Sequence, residues 1–137
     1  VWEAAMAAGH YKPDNLIAIV DYNKYQLDGA IEDIISLEPF GDKWRSMGWR
    51  VREIDGHDLG EVMDGLTWAR DQGRPACVIA HTVKGKGVSF MEGENAYHGV
   101  APTEEELAKA LAEFEDALSR AEASIEREAA LDKEAGK

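Results

Sequence analysis

The 137 residues are 45% apolar, 8% aromatic and 31% charged, a balance that excludes fibrous, collagenous and disordered chains and points to a soluble globular domain. Fifteen Lys and Arg stand against 27 Asp and Glu, and the net charge of −12 leaves no basic block to neutralise a nucleic-acid backbone or dock on an anionic membrane. The single cysteine, Cys77, supports neither a disulfide framework nor a cysteine metal site, which favours a reducing, cytoplasmic setting.

The chain opens at Val1 rather than Met, inside a pattern that already reads as a helix, so the opening of the domain is expected to lie upstream. Trp2, Ala5, Met6 and Gly9 recur at helical spacing through His10. Leu16-Ile17-Ala18-Ile19-Val20 is continuously apolar and rich in β-branched residues, the pattern of a strand covered on both faces. It is also the longest strongly apolar run, far too short to cross a bilayer, and no secretory signal is visible in the first ten residues. Pro39 to Met47 places Phe40, Trp44 and Met47 on one helical face, and Trp49 to Ile54 reads as a strand between Gly48 and Asp55-Gly56. Asp58 with Glu61 forms a capping box, after which Leu59, Val62, Met63 and Leu66 give the apolar stripe of a helix ending near Asp71. Ala76 to Ala80 then repeats the pattern of the first strand. Trp2, Trp44, Trp49 and Trp68 all fit apolar faces and are expected in the core. The alternation predicts an α/β fold with a parallel sheet, flanking helices and right-handed crossovers.

Thr82 to Ala101 has four glycines and no periodicity, and a connection of that length inside a domain is usually functional or mobile. Behind Pro102, Thr103 and Glu106 form a second capping box. Leu107, Leu111, Phe114, Leu118, Ala121 and Ile125 follow at alternating spacings of four and three, a heptad-like seam. Residues 103–137 therefore read as an acidic amphipathic helical tail that carries half of the net charge. It is either a solvated helix docked on the domain of residues 1–102 or a contact between subunits.

Ligands of open parallel sheets bind beyond the carboxyl ends of the strands. There the strands run into Asp21-Tyr22-Asn23-Lys24-Tyr25, Asp55-Gly56-His57-Asp58 and His81-Thr82-Val83-Lys84-Gly85-Lys86-Gly87, three polar clusters that should share one rim. Asn23 offers an uncharged amide oxygen suited to a hard divalent cation, although by itself an Asn in such a place is more often a turn residue, and Asp28-Gly29 reads as a turn still more strongly. The Lys84 loop could present a cation and unhindered amides to a phosphate, or be a flexible surface turn, and it lacks the Walker spacing. His57-Asp58 could act as an acid/base pair, but Asp58 serves better as a helix cap. His98 is an imidazole in the long loop, within reach of a ligand or simply solvated, whereas His10 and His81 read as structural.

Val1-Trp2-Glu3-Ala4-Ala5-Met6 and Tyr11-Lys12-Pro13-Asp14-Asn15 through Asp21-Tyr22-Asn23 together resemble the second half of the thiamine-diphosphate fingerprint of transketolases. Ile54-Asp55-Gly56-His57-Asp58, the Lys84 loop and His98-Gly99-Val100-Ala101-Pro102 follow in the family's order, and the likeness covers about residues 1–115. The resemblance implies that residues 1–102 are the later portion of a diphosphate-binding thiamine-diphosphate domain. It implies Asn23 and the backbone carbonyl of Tyr25 as ligands of Mg²⁺ or Ca²⁺, with Asn23, Lys84 and His98 at the cofactor. His98 would be the catalytic residue, and Glu3 one of the glutamates that relay between active sites across the interface of the assembly. The implied parent transfers a two-carbon ketol group between sugar phosphates, and works with a pyrimidine-binding subunit or domain in an oligomer that uses neither nucleic acid nor membrane. The Gly-Asp-Gly that opens the fingerprint, the early histidines and the pyrimidine-binding part are not in these residues. The pattern is therefore that of the amino-terminal subunit of a split transketolase without its own first half, expected to be inactive alone. Deoxyxylulose-phosphate synthase or dihydroxyacetone synthase relatives, or a non-catalytic assembly subunit of the same fold, are the competing readings; the Lys84 loop and His98-Gly99 favour transketolase.

Overall fold

Apolar runs become strands and amphipathic runs become helices in the order the periodicities require. In the computed structural model, which describes residues 1–135, α1 (Trp2–Tyr11) leads into β1 (Ile17–Tyr22). A small hairpin of β2 (Tyr25–Gln26) and β3 (Gly29–Ala30) and the short α2 (Ile31–Ile34) precede α3 (Phe40–Ser46). Then come β4 (Arg50–Asp55), α4 (Leu59–Arg70), β5 (Ala76–His81), a 3-10 turn at Asn95–His98 and the long α5 (Glu104–Ala135). The last two residues of the predicted tail, 136–137, lie outside the described residues. Val1–Lys84 and the residues from Gly85 onward form two compact units.

The first unit carries the expected parallel sheet, in the order β1-β5-β4. Tyr22 pairs with His81 and Asp55 with the same His81, so the three strands end level with one another. The central β5 is buried from Ala76 to Ala80, as its unbroken apolar run requires of a strand covered on both faces. On one face Cys77 and Ile79 pack with Ala5 of α1, Phe40 and Trp44 of α3, Trp49 and Tyr22. On the other, Val78 and Ala80 pack with Ile54 and with Ala69 of α4. The indole of Trp49 donates to the carbonyl oxygen of Ala5 at 2.8 Å, so α1 is tied to the start of β4 by a buried hydrogen bond as well as by packing.

Three core expectations are corrected. β1 is an edge strand here and only one of its faces is well covered, so Ile19 is 63% exposed. Trp2 is not a core residue but lies partly exposed, with its ring 6.1 Å from Phe40. The stripe of α4 that faces the sheet is not Leu59, Met63 and Leu66, which are exposed, but Gly65 and Ala69, with Val62 and Trp68 beside them. Small residues win this face because the helix lies close to the sheet: a Cβ on Gly65 would sit 3.3 Å from Ile54 and 3.6 Å from Val78.

Burial pushes the Cys77 thiol up to about 12, since nothing compensates a thiolate in that apolar setting. Cys77 is therefore expected to resist iodoacetamide at pH 8 in the folded protein and to react within minutes in denaturant, as followed by mass spectrometry. Rapid labelling of the folded protein would contradict this packing.

In the second unit the capping box forms as expected: Thr103 Oγ1 accepts from the Glu106 amide at 3.2 Å and Glu106 accepts from the Thr103 amide at 2.8 Å. Ala110 is buried, whereas Leu107, Leu111, Phe114, Leu118 and Ile125 of the seam remain exposed. Ser89 is held by the Glu113 carboxylate through both its amide and its hydroxyl, which fastens the loop to α5.

Candidate functional site

The level strand ends place the loops after β1, β4 and β5 on one edge, and a web of hydrogen bonds fixes their shapes. Immediately after β1, Lys24 takes φ 69°, a left-handed conformation uncommon for a side-chain-bearing residue. That bend lets Asn23 Oδ1 accept the Tyr25 amide at 2.9 Å. The reading of Asn23 as a turn residue is thus realised, and a second lone pair on the same oxygen remains for a cation. Lys24 Nζ sits 3.3 Å from the centre of the Tyr22 ring, which uses its charge within the loop. The Tyr22 hydroxyl donates to Glu38 at 2.6 Å, and Glu38 also accepts the Phe40 amide at 2.9 Å. Burial, reinforced by Glu38, pushes the Tyr22 phenol up to about 12, and the hydrogen bond from Tyr22 holds the Glu38 carboxyl below its ordinary range. The base of the Asn23 loop is in this way anchored to the segment before α3.

The exit of β5 is tied to both neighbours. Thr82 Oγ1 donates to the Asp21 carboxylate on the β1 side. On the β4 side the Gly56 amide donates to the His81 carbonyl at 2.8 Å and the Val83 amide donates to His57 Nε2 at 2.8 Å. Asp58 caps α4 by accepting the Glu61 amide at 3.0 Å, as its spacing implies, but Glu61 returns to the Asp55 amide at 2.7 Å and not to the cap residue. His57 is therefore no acid/base partner of Asp58 here. His81, read as structural, bonds Glu53 at 2.9 Å, and Glu53 lies 3.7 Å from Arg45.

Of the residues singled out in the sequence, Asn23, Tyr25 and Lys84 come to this edge of the first unit. Glu3 lies exposed in the first turn of α1; Trp2 beside it touches Phe40, which stacks on Tyr22, so that turn faces the same edge. His98 ends the 3-10 turn of the second unit. The side-chain oxygen of Asn23 and the carbonyl of Tyr25 are hard donors of the kind Mg²⁺ and Ca²⁺ take. Among the described residues there is no group of three or more His, Cys, Asp and Glu that could hold a metal ion. The bonds of Thr82 to Asp21 and of Val83 to His57 are not readable from spacing, because they join loops that only the parallel register brings together.

The family described as "Transketolase, thiamine diphosphate binding domain" matches residues 1–120. The 6-deoxy-6-sulfo-D-fructose transketolase subunit SqwG of Clostridium sp. strain MSTE9 is 49% identical over 116 residues, which are 84% of this chain and 42% of that protein. An apulose-4-phosphate transketolase subunit of Actinobacillus succinogenes is 44% identical over 115 residues, again 84% of this chain and 42% of the relative. This chain thus spans less than half the length of both. Among solved structures, transketolase from Campylobacter jejuni aligns with a TM-score of 0.75 at 33% identity, over 80% of this chain and 17% of that one.

Proposed function

The chain belongs to the transketolase thiamine-diphosphate-binding domain family, and from that premise we propose that it forms the diphosphate-binding side of a ketol transferase built from more than one chain. The observation that carries the proposal is the Asn23-Lys24-Tyr25 bend at the carboxyl edge of the sheet, where a rigid loop offers hard oxygens in an otherwise acidic protein. A diphosphate cannot be held by net charge at −12, so a local cation and local donors must supply the attraction. Asn23 Oδ1 and the Tyr25 carbonyl would hold Mg²⁺ or Ca²⁺, and Lys84 would donate to the diphosphate from the β5 exit. His98 would orient the sugar hydroxyls and move a proton at one of them. Glu3 would meet the neighbouring chain. When bound, thiamine diphosphate supplies the electron sink that lets a two-carbon ketol unit leave a ketose phosphate for an aldose phosphate. The relatives named for a sulfonated ketose and for apulose 4-phosphate support a donor with an anionic group at its far end.

The test uses the complete subunit that contains these residues, with its pyrimidine-binding partner, Mg²⁺ and thiamine diphosphate. The mixture is expected to bind the cofactor by calorimetry and to transfer the ketol unit from xylulose 5-phosphate to ribose 5-phosphate, or from a sulfonated ketose in its place, with neither component active alone. Turnover by the single chain, or no cofactor binding by the mixture, would refute the proposal.

A further inference from the structure

We propose that His57 is a positioning residue for cofactor binding: its Nε2 accepts the Val83 amide at 2.8 Å and thereby sets the backbone that carries Lys84. The inference rests on the reading of Lys84 as a diphosphate donor and adds to it a residue in another loop.

An imidazole nitrogen that accepts an N–H must carry its lone pair, so His57 serves as the neutral tautomer protonated at Nδ1. The backbone that carries the ring is held by its own loop. The His57 amide donates to Asp55 Oδ1 at 2.8 Å, the Asp55 amide donates to Glu61, and Asp58 caps the helix that presents Glu61. The two exits also touch through their backbones, since the Gly56 amide donates to the His81 carbonyl and a Cβ at Gly56 would lie 2.5 Å from Thr82 Cγ2. The β4 and β5 exits are therefore one corner, and His57 is its outermost bond. Beyond Thr82 no strand pairing fixes the β5 exit, and without His57 the Val83 amide turns to water and Lys84 samples more orientations. Ordering the loop then costs affinity each time the diphosphate binds.

The experiment is a double-mutant cycle on the complete protein in complex with its partner, with the dissociation constant of thiamine diphosphate in Mg²⁺ read by calorimetry. His57→Ala is expected to raise that constant roughly three- to tenfold, the range of one net hydrogen bond, with the melting temperature unchanged. His57→Gln, which places an acceptor near the position of Nε2, is expected to restore most of the loss. In a Lys84→Ala background His57→Ala should add nothing, because both act on the same contact. Additive effects, or an unchanged constant for His57→Ala beside a weakened Lys84→Ala, would overturn the role of His57 alone. An unchanged constant for Lys84→Ala would overturn the reading of Lys84 and this inference with it. The nitrogen NMR spectrum of the unmodified protein gives a check independent of any variant: His57 Nε2 must be the accepting nitrogen, and a proton there refutes the bond.

Discussion

Replacing Asn23 by Ala, the proposed direct ligand of the cation, is expected to weaken binding of thiamine diphosphate in Mg²⁺ by about 100-fold or more, since mutating even an outer-shell partner of a metal ligand costs about 10- to 100-fold. The side-chain oxygen of Asn23 does two things at once. It closes the bend by accepting the Tyr25 amide, worth about 1 kcal/mol, and on the proposed reading it would present a hard oxygen to the cation. Ala removes both, whereas Asn23→Asp keeps an acceptor for Tyr25 and a stronger oxygen for the metal. The aspartate variant should therefore hold the cofactor at least as well at neutral pH, and a melting curve should separate the variants by only a few degrees. If calorimetry on the assembled enzyme finds the alanine variant unimpaired, the cation is not held at this loop. The base of the loop would survive either change, since Tyr22, Glu38 and Lys24 make their contacts without Asn23.

What the amino-acid order reveals depends on how local each interaction is. The run at Ala76 to Ala80 announces a buried strand because every residue in it is apolar, and no other described element is so enclosed. The similar run at Leu16 to Val20 misleads, because whether Ile19 is covered depends on what lies beyond the edge of the sheet and not on Ile19. Helix caps are equally local, so Asp58 and Thr103 do as their spacing implies. The sheet-facing side of α4 misleads for a different reason: a hydrophobic scale ranks Leu59, Met63 and Leu66 above Gly65 and Ala69, but a close helix-to-sheet approach selects for absence of volume. At the candidate site, the Asn23 bend is legible in three consecutive residues. The bond from Val83 to His57 spans 26 residues and exists only because β4 and β5 run parallel and end level.

The same preference for missing volume governs a large stability effect expected at Gly9. A Cβ built on Gly9 falls 1.7 Å from the Met47 carbonyl oxygen and 2.9 Å from its carbon, both backbone atoms that no rotamer can move aside. From the other side, Gly48 takes φ +90°, and a Cβ built there would lie 3.7 Å from the Gly9 Cα, so α1 meets the turn before β4 backbone against backbone. Gly9→Ala gains about 1 kcal/mol of helix propensity but must push α1 off that turn, loosening the packing of Ala5 and the Trp49 bond to the Ala5 carbonyl. Overpacking of this kind costs about 3 kcal/mol or more, and loss of the tethering hydrogen bond about 1 kcal/mol. The net is a fall in melting temperature on the order of 10 °C for a protein of this size. Gly99→Ala is the control, because its Cβ meets nothing within 4 Å, and it should melt like the parent. Equal melting of the Gly9 variant would mean that α1 does not rest on the Met47 turn. On the proposed reading, in which Glu3 in the first turn of α1 meets a neighbouring chain, the shift should also be felt in assembly: the Gly9 variant is expected to lose affinity for that chain, measured by sedimentation, at temperatures where it is still folded.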